Sequence, residues 1–113
     1  MTALVDIALE MLSRCGLTPD RARKVLLPLI KSTLDNLATQ APAQALTGTF
    51  KRRDIVTVRR HLEAITAEHL PEALEAYVLL GRRSLELAGH RAAEDDLIEK
   101  ILREALNRDL RFS

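Results

Sequence analysis

The residues best equipped for chemistry in this 113-residue sequence fall in one stretch, from Thr47 to His61. Thr47 offers a hydroxyl and Gly48 a backbone that a ligand can approach closely; the same pair suits an ordinary turn, and the two readings weigh evenly. Arg52 and Asp54 have the makings of a ligand clamp, because a guanidinium grips a carboxylate or phosphate through two parallel hydrogen bonds. Asp54 is equally placed to cap the helix that follows. That reading is preferred, since Asp so often occupies helix caps, and it leaves Arg52 a solvated side chain. His61 carries an imidazole, the side chain suited to proton transfer near neutral pH. Its place beside Val58, Leu62 and Ile65 favours instead a hydrogen-bonded histidine at the edge of a core.

Other chemistries lack their residues. There is no glycine-rich dinucleotide or phosphate loop, no pair of cysteines and no nucleophile elbow. His61, His69 and His90 fall on different predicted elements without metal-ligand spacing, so neither a metal nor a cofactor is assigned to this chain. Lys51, Arg52 and Arg53, followed by Arg59 and Arg60, make the one concentrated positive patch. Seventeen basic against sixteen acidic residues leave a net charge of +1, far from the excess with which nucleic-acid binders neutralise phosphates. A solvated face or an anion-binding loop is preferred to a nucleic-acid site.

The elements that must position these residues are helical. Hydrophobic residues make up 47% of the chain but aromatics only 3%, so the core is aliphatic, which suits helix-on-helix packing. Leu4, Ile7, Ala8, Met11 and Leu12 mark a first helix that stops at Gly16. Thr18, Pro19 and Asp20 start a second, with Ala22, Val25, Leu26, Leu29, Ile30, Thr33 and Leu37 on its buried face. Pro28 lies inside it and removes the hydrogen bond to the carbonyl of Lys24. Residues Ala41 to Arg53 read as a loop, with room for one turn of helix at Ala43 to Leu46.

A third helix follows Asp54 and buries Ile55, Val58, Leu62 and Ile65. A fourth begins at Pro71, turns Leu74, Tyr77, Val78, Gly81 and Leu85 inward and ends near Gly89; Tyr77 and Gly81 read as core or dimer interface, the small residue letting helices approach closely. The last, about Ala92 to Leu110, presents Leu97, Ile98, Ile101, Leu102 and Ala105. Residues 1–113 thus read as a single helical domain with an all-α fold, a five-helix bundle. Cys15, the lone cysteine near the end of a helix rich in apolar residues, reads as a buried thiol in a reducing compartment. No apolar run is long enough for a membrane span, and the N-terminus lacks a basic start followed by an apolar block, so the chain reads as cytoplasmic.

The segment Ala45-Leu46-Thr47-Gly48-Thr49-Phe50-Lys51-Arg52-Arg53-Asp54, with Thr57-Val58 and His61-Leu62 after it, resembles a known family. This is the C-terminal helical domain, called domain of unknown function 2520, of Rossmann-like oxidoreductases related to pyrroline-5-carboxylate reductase. Leu27-Pro28-Leu29, Thr33-Leu34 and Asn36-Leu37 extend the resemblance upstream, and it continues to about Ala88. Thr49 stands where the family has proline and Arg53 where it has glycine, two residues that shape backbone. The resemblance implies a fold like the C-terminal domain of 6-phosphogluconate dehydrogenase without the Rossmann domain, and a chain cut within its first helix. It implies NADP for the full-length family, bound by a Rossmann domain or subunit outside this chain. It further implies a homodimer and a small-molecule substrate of unstated identity, met by Asn36, Thr47, Gly48, Arg52, Asp54 and His61. Asn36 serves equally to tie down the neighbouring loop. A stand-alone helical interaction module is the alternative.

Overall fold

Aliphatic stretches of helical period, several of them opened by a capping residue or a proline, leave little choice of secondary structure. The computed structural model of the protein describes residues 1–89 and 92–112. Among them are six helices and no strand: α1 (Thr2–Arg14), α2 (Pro19–Leu37), α3 (Pro42–Ala45), α4 (Ile55–Ala67), α5 (Pro71–Leu87) and α6 (Ala92–Phe112). The one more than expected is the four-residue α3, where the sequence leaves room for a single turn. No helix among the described residues is long and apolar enough to cross a membrane. The chain forms two compact units, Met1–Ala45 and Leu46–Ser113.

In the first unit α1 packs on α2 and α2 on α3. Gly16, at φ 92°, turns the chain out of α1 in the left-handed region that glycine enters without steric cost. Thr18 then accepts a hydrogen bond from the Arg21 amide at 3.3 Å, with Pro19 in the first turn. The helix continues through Pro28 to Leu37. Its expected inward face is corrected by the structure. Ala22 alone is buried, whereas Val25, Leu29 and Leu37 are exposed, as are Leu27 and Leu34. The reason is the lack of neighbours: Val25, Leu29 and Leu37 share a face with Ala22, but α2 packs on α1 and the four-residue α3, which cover only part of its length. Leu4 of α1 is likewise exposed. Cys15, expected to be buried, is exposed because it caps the end of α1 rather than lying on its inner face.

The second unit is a three-helix arrangement of α4, α5 and α6, each packed on the other two. Val58, Leu74, Ile98 and Leu102 are its most completely buried side chains, with Leu62, Ile65, Val78, Leu85, Ile101 and Ala105 around them. Burying an aliphatic side chain of this size is worth about 1.5–3 kcal/mol, so this core holds α4 and α5 in register. Leu97 departs from expectation and is exposed, because Ile98, Ile101, Leu102 and Ala105 already complete one helical stripe and Leu97 lies a hundred-degree step from Ile98. Tyr77 is only half-buried, which places it at the rim of the core.

Candidate functional site

The loop before α4 folds back on itself through its own backbone. The amide of Arg52 donates to the Gly48 carbonyl at 3.1 Å and that of Asp54 to the Thr49 carbonyl at 3.0 Å. Two residues take the left-handed conformation, Gly48 at φ 93° and Arg53 at φ 53°. A Cβ at Gly48 would meet nothing within 4 Å, so backbone conformation, not close approach, is what glycine provides there. Thr47 is exposed beside it. Arg53 occupies the place of the glycine expected from the resemblance and keeps a glycine-like φ. Its side chain then does what glycine could not: Nε donates to Asp95 Oδ1 at 2.7 Å, and Nη2 donates to the carbonyls of Ala88 and Gly89. Both charged residues are buried. The loop is thereby tied to the end of α5 and the start of α6.

Asp54 is the cap of α4. Oδ1 accepts from the Thr57 amide at 3.1 Å and Oδ2 from the Thr57 hydroxyl at 2.6 Å. These two bonds hold its carboxyl below the usual carboxylate range, with a smaller contribution from the charges of Arg52 and Arg60. Thr57 thus engages both oxygens, the capping geometry preferred for Asp54 from the sequence. Arg52 is exposed and acts on Asp54 through its field.

One turn further along α4, His61 Nδ1 lies 2.9 Å from the Tyr77 hydroxyl of α5. The two rings meet edge to face, centroids 5.6 Å apart and planes at 90°. Phe50, from the loop, tilts over Tyr77 with centroids 5.5 Å apart and touches α5 at Gly81. Gly81 therefore makes room for an aromatic ring of the loop and not for a neighbouring helix. Burial pushes the Tyr77 phenol up to about 12, so it remains a hydrogen-bond donor throughout the physiological range.

Of the six expected site residues, the structure places Thr47, Gly48, Arg52 and Asp54 on one loop and His61 on the helix that this loop opens. Asn36 belongs to the first unit, exposed near the end of α2, where its carbonyl accepts from the amides of Thr39 and Gln40. None of the six lines either of two grooves in the second unit. One, of about 880 Å³, runs past Leu62, Thr66, Pro71, Ile101 and Ala105; the other, of about 340 Å³, lies beside Arg82, Asp95 and Glu99. Among the described residues no cluster of His, Cys, Asp or Glu is placed to hold a metal ion. His90 lies outside the described residues.

Sequence reasoning passes over Phe50 as a site residue and assigns Tyr77 to the core or an interface. A signal for both was available in their scarcity: the chain has two Phe, one Tyr and no Trp, and two of those three rings pack on each other, Tyr77 also meeting His61. The Arg53–Asp95 pair left no such trace, because its partners stand 42 positions apart.

No curated protein and no solved structure matches the chain. Residues 1–84 match a family described as Domain of unknown function (DUF2520). The matched stretch contains the loop, α4 and the part of α5 that carries Tyr77 and Gly81, and stops short of Asp95. With about three-quarters of its length matched, the chain belongs to the DUF2520 family.

Proposed function

We propose that the chain is the dimer-forming, substrate-side helical domain of a Rossmann-like, NADP-dependent oxidoreductase. In this reading the chain transfers no hydride alone. A dinucleotide site needs a glycine-rich turn between a strand and a helix. The loop at Gly48 is neither glycine-rich nor preceded by a strand, so the cofactor belongs to a separate domain or subunit. The observation that supports the reading is the meeting of His61, Tyr77 and Phe50 inside the family-matched stretch. It supplies what one wall of a substrate cleft requires: an apolar ring against which a substrate rests and a fixed polar point that orients it.

Two measurements test it. Sedimentation of the purified chain is expected to show a dimer, and a strict monomer at high concentration would remove the dimer-forming role. Co-expression with a Rossmann segment encoded beside this chain is expected to yield NADPH oxidation on a panel of small carbonyl and imine substrates, reduced by His61→Ala. A combined protein that neither binds nor oxidises NADPH overturns the oxidoreductase role.

The exposed Val25, Leu27, Leu29 and Leu34 of α2 favour a second reading, a stand-alone helical interaction module without activity. Several large apolar side chains left exposed on one helix are what a partner would cover. In that case association persists, and His61→Ala changes nothing beyond stability.

A further inference from the structure

The pair formed by His61 and Tyr77 has a direction. A phenol carries one proton, and an imidazole nitrogen lone pair is a far stronger base than a phenolic oxygen, so the favoured bond between them is O–H donating to Nδ1. Phe50 packs on the tyrosine ring with centroids 5.5 Å apart, and the perpendicular ring geometry keeps Nδ1 facing the hydroxyl. With Nδ1 occupied as an acceptor, a neutral His61 must carry its proton on Nε2. That nitrogen has no protein partner among the described residues, and His61 is exposed. The charged residues nearest along the chain are mostly basic: Arg59 and Arg60 precede His61 on α4 and Glu63 follows it, while Arg52 lies on the loop that opens the helix.

We propose that His61 is a binding residue for a carboxylate, offering Nε2–H to one of its oxygens, and that Tyr77 is the positioning residue that fixes this tautomer. The proposal rests on the reading of this face as a substrate wall and names the group it recognises: a substrate bearing a carboxylate, drawn in by the neighbouring guanidinium groups and oriented by a neutral N–H donor. A general base at the same place would need a bare Nε2, the opposite tautomer, so His61 orients the ligand and takes no proton from it at this nitrogen.

Nitrogen-15 NMR of the full chain tests this, with acetate as the probe. In the wild-type protein above the histidine titration, Nδ1 is expected to be bare and Nε2 protonated. Acetate is expected to shift the Nε2 signal where chloride at matched ionic strength does not. In Tyr77→Phe, shown to be folded by circular dichroism, both tautomers are expected to appear. Acetate should then bind more weakly in proportion to the fraction of His61 that still carries its proton on Nε2, about twofold for equal tautomer populations. A protonated Nδ1 in the wild type, an unchanged tautomer in Tyr77→Phe, or equal responses to acetate and chloride overturns the proposal. Neither a monomer in the centrifuge nor silence toward NADPH alters these signals, so the two readings fail separately.

Discussion

The ring of Phe50 stands where a side chain at position 81 would begin: a Cβ built on Gly81 lies 2.6 Å from the tip of the Phe50 ring. That contact joins the loop to α5 and lays the ring across Tyr77. Glycine inside a helix costs about 1 kcal/mol relative to alanine, and here that cost offsets a clash.

Gly81→Ala therefore has an effect whose sign depends on Phe50. In the wild-type background the helix gains about 1 kcal/mol, but overpacking costs about 1–3 kcal/mol, so a net loss of stability is expected in urea unfolding. In a Phe50→Ala background the clash is gone, and the same substitution is expected to stabilise by about 1 kcal/mol. Equal effects in the two backgrounds would show that the ring yields freely.

Arg53 combines a buried ion pair with a left-handed backbone. Arg53→Ala removes the guanidinium from Asp95 and from the carbonyls of Ala88 and Gly89 and is expected to destabilise the chain in urea unfolding by up to about 3–5 kcal/mol. Arg53→Gly loses the same side chain but relieves the positive φ. Its cost is expected to be smaller by about 1 kcal/mol. The difference between the two variants measures the backbone contribution alone.

The cap of α4 predicts an acid-sensitive component of stability. Asp54 titrates below its ordinary value of 3.8 in the folded chain, so the ionised form is the one folding favours. Its contribution is fully present above the unfolded value and is lost as pH falls through the lower, folded one. Asp54→Asn keeps an acceptor for the Thr57 amide but cannot titrate. Denaturation profiles of the two proteins are expected to converge in shape near neutrality and to diverge below pH 3.8, where the wild type alone loses this component.

Tyr77 gives the complementary alkaline test. As the chain's one tyrosine, it accounts for all phenolate absorbance, and its midpoint is expected near 12 instead of 10. A raised value means that the folded state holds the proton more tightly. The associated stability is fully present below pH 10 and declines as pH rises toward 12. Tyr77→Phe is expected to lose this decline; a midpoint at 10 would place the hydroxyl in water.

Legibility of this chain from its sequence divides by range. Asp54 as a cap and Pro71 as a helix start are local features, decided by residues within one turn, and the structure has them as the sequence reads. The stripe of α4 is equally legible, because two partners cover it. The stripe of α2 misleads: periodicity reports that Val25, Leu29 and Leu37 are apolar, but only a neighbour buries them. Cys15 misleads for a related reason, since the apolar residues of a helix do not say which side of its end a thiol occupies. The meeting of Phe50, His61 and Tyr77 requires knowing how α4 and α5 cross, which no local pattern encodes. Arg53 is the hardest case, because a departure from an expected glycine turned out to preserve that glycine's backbone.

The tie between Arg53 and Asp95 also sets an order of events. Asp95 lies on the last helix, 42 residues after Arg53, and closing so long a span follows the local helices and waits on the docking of α6. During synthesis α4 and α5 emerge and can pair while the loop that carries Thr47 and Phe50 still lacks its anchor. The loop is clamped only once the start of α6 has left the ribosome, so completion of this surface reports that α4, α5 and the first turn of α6 have come together.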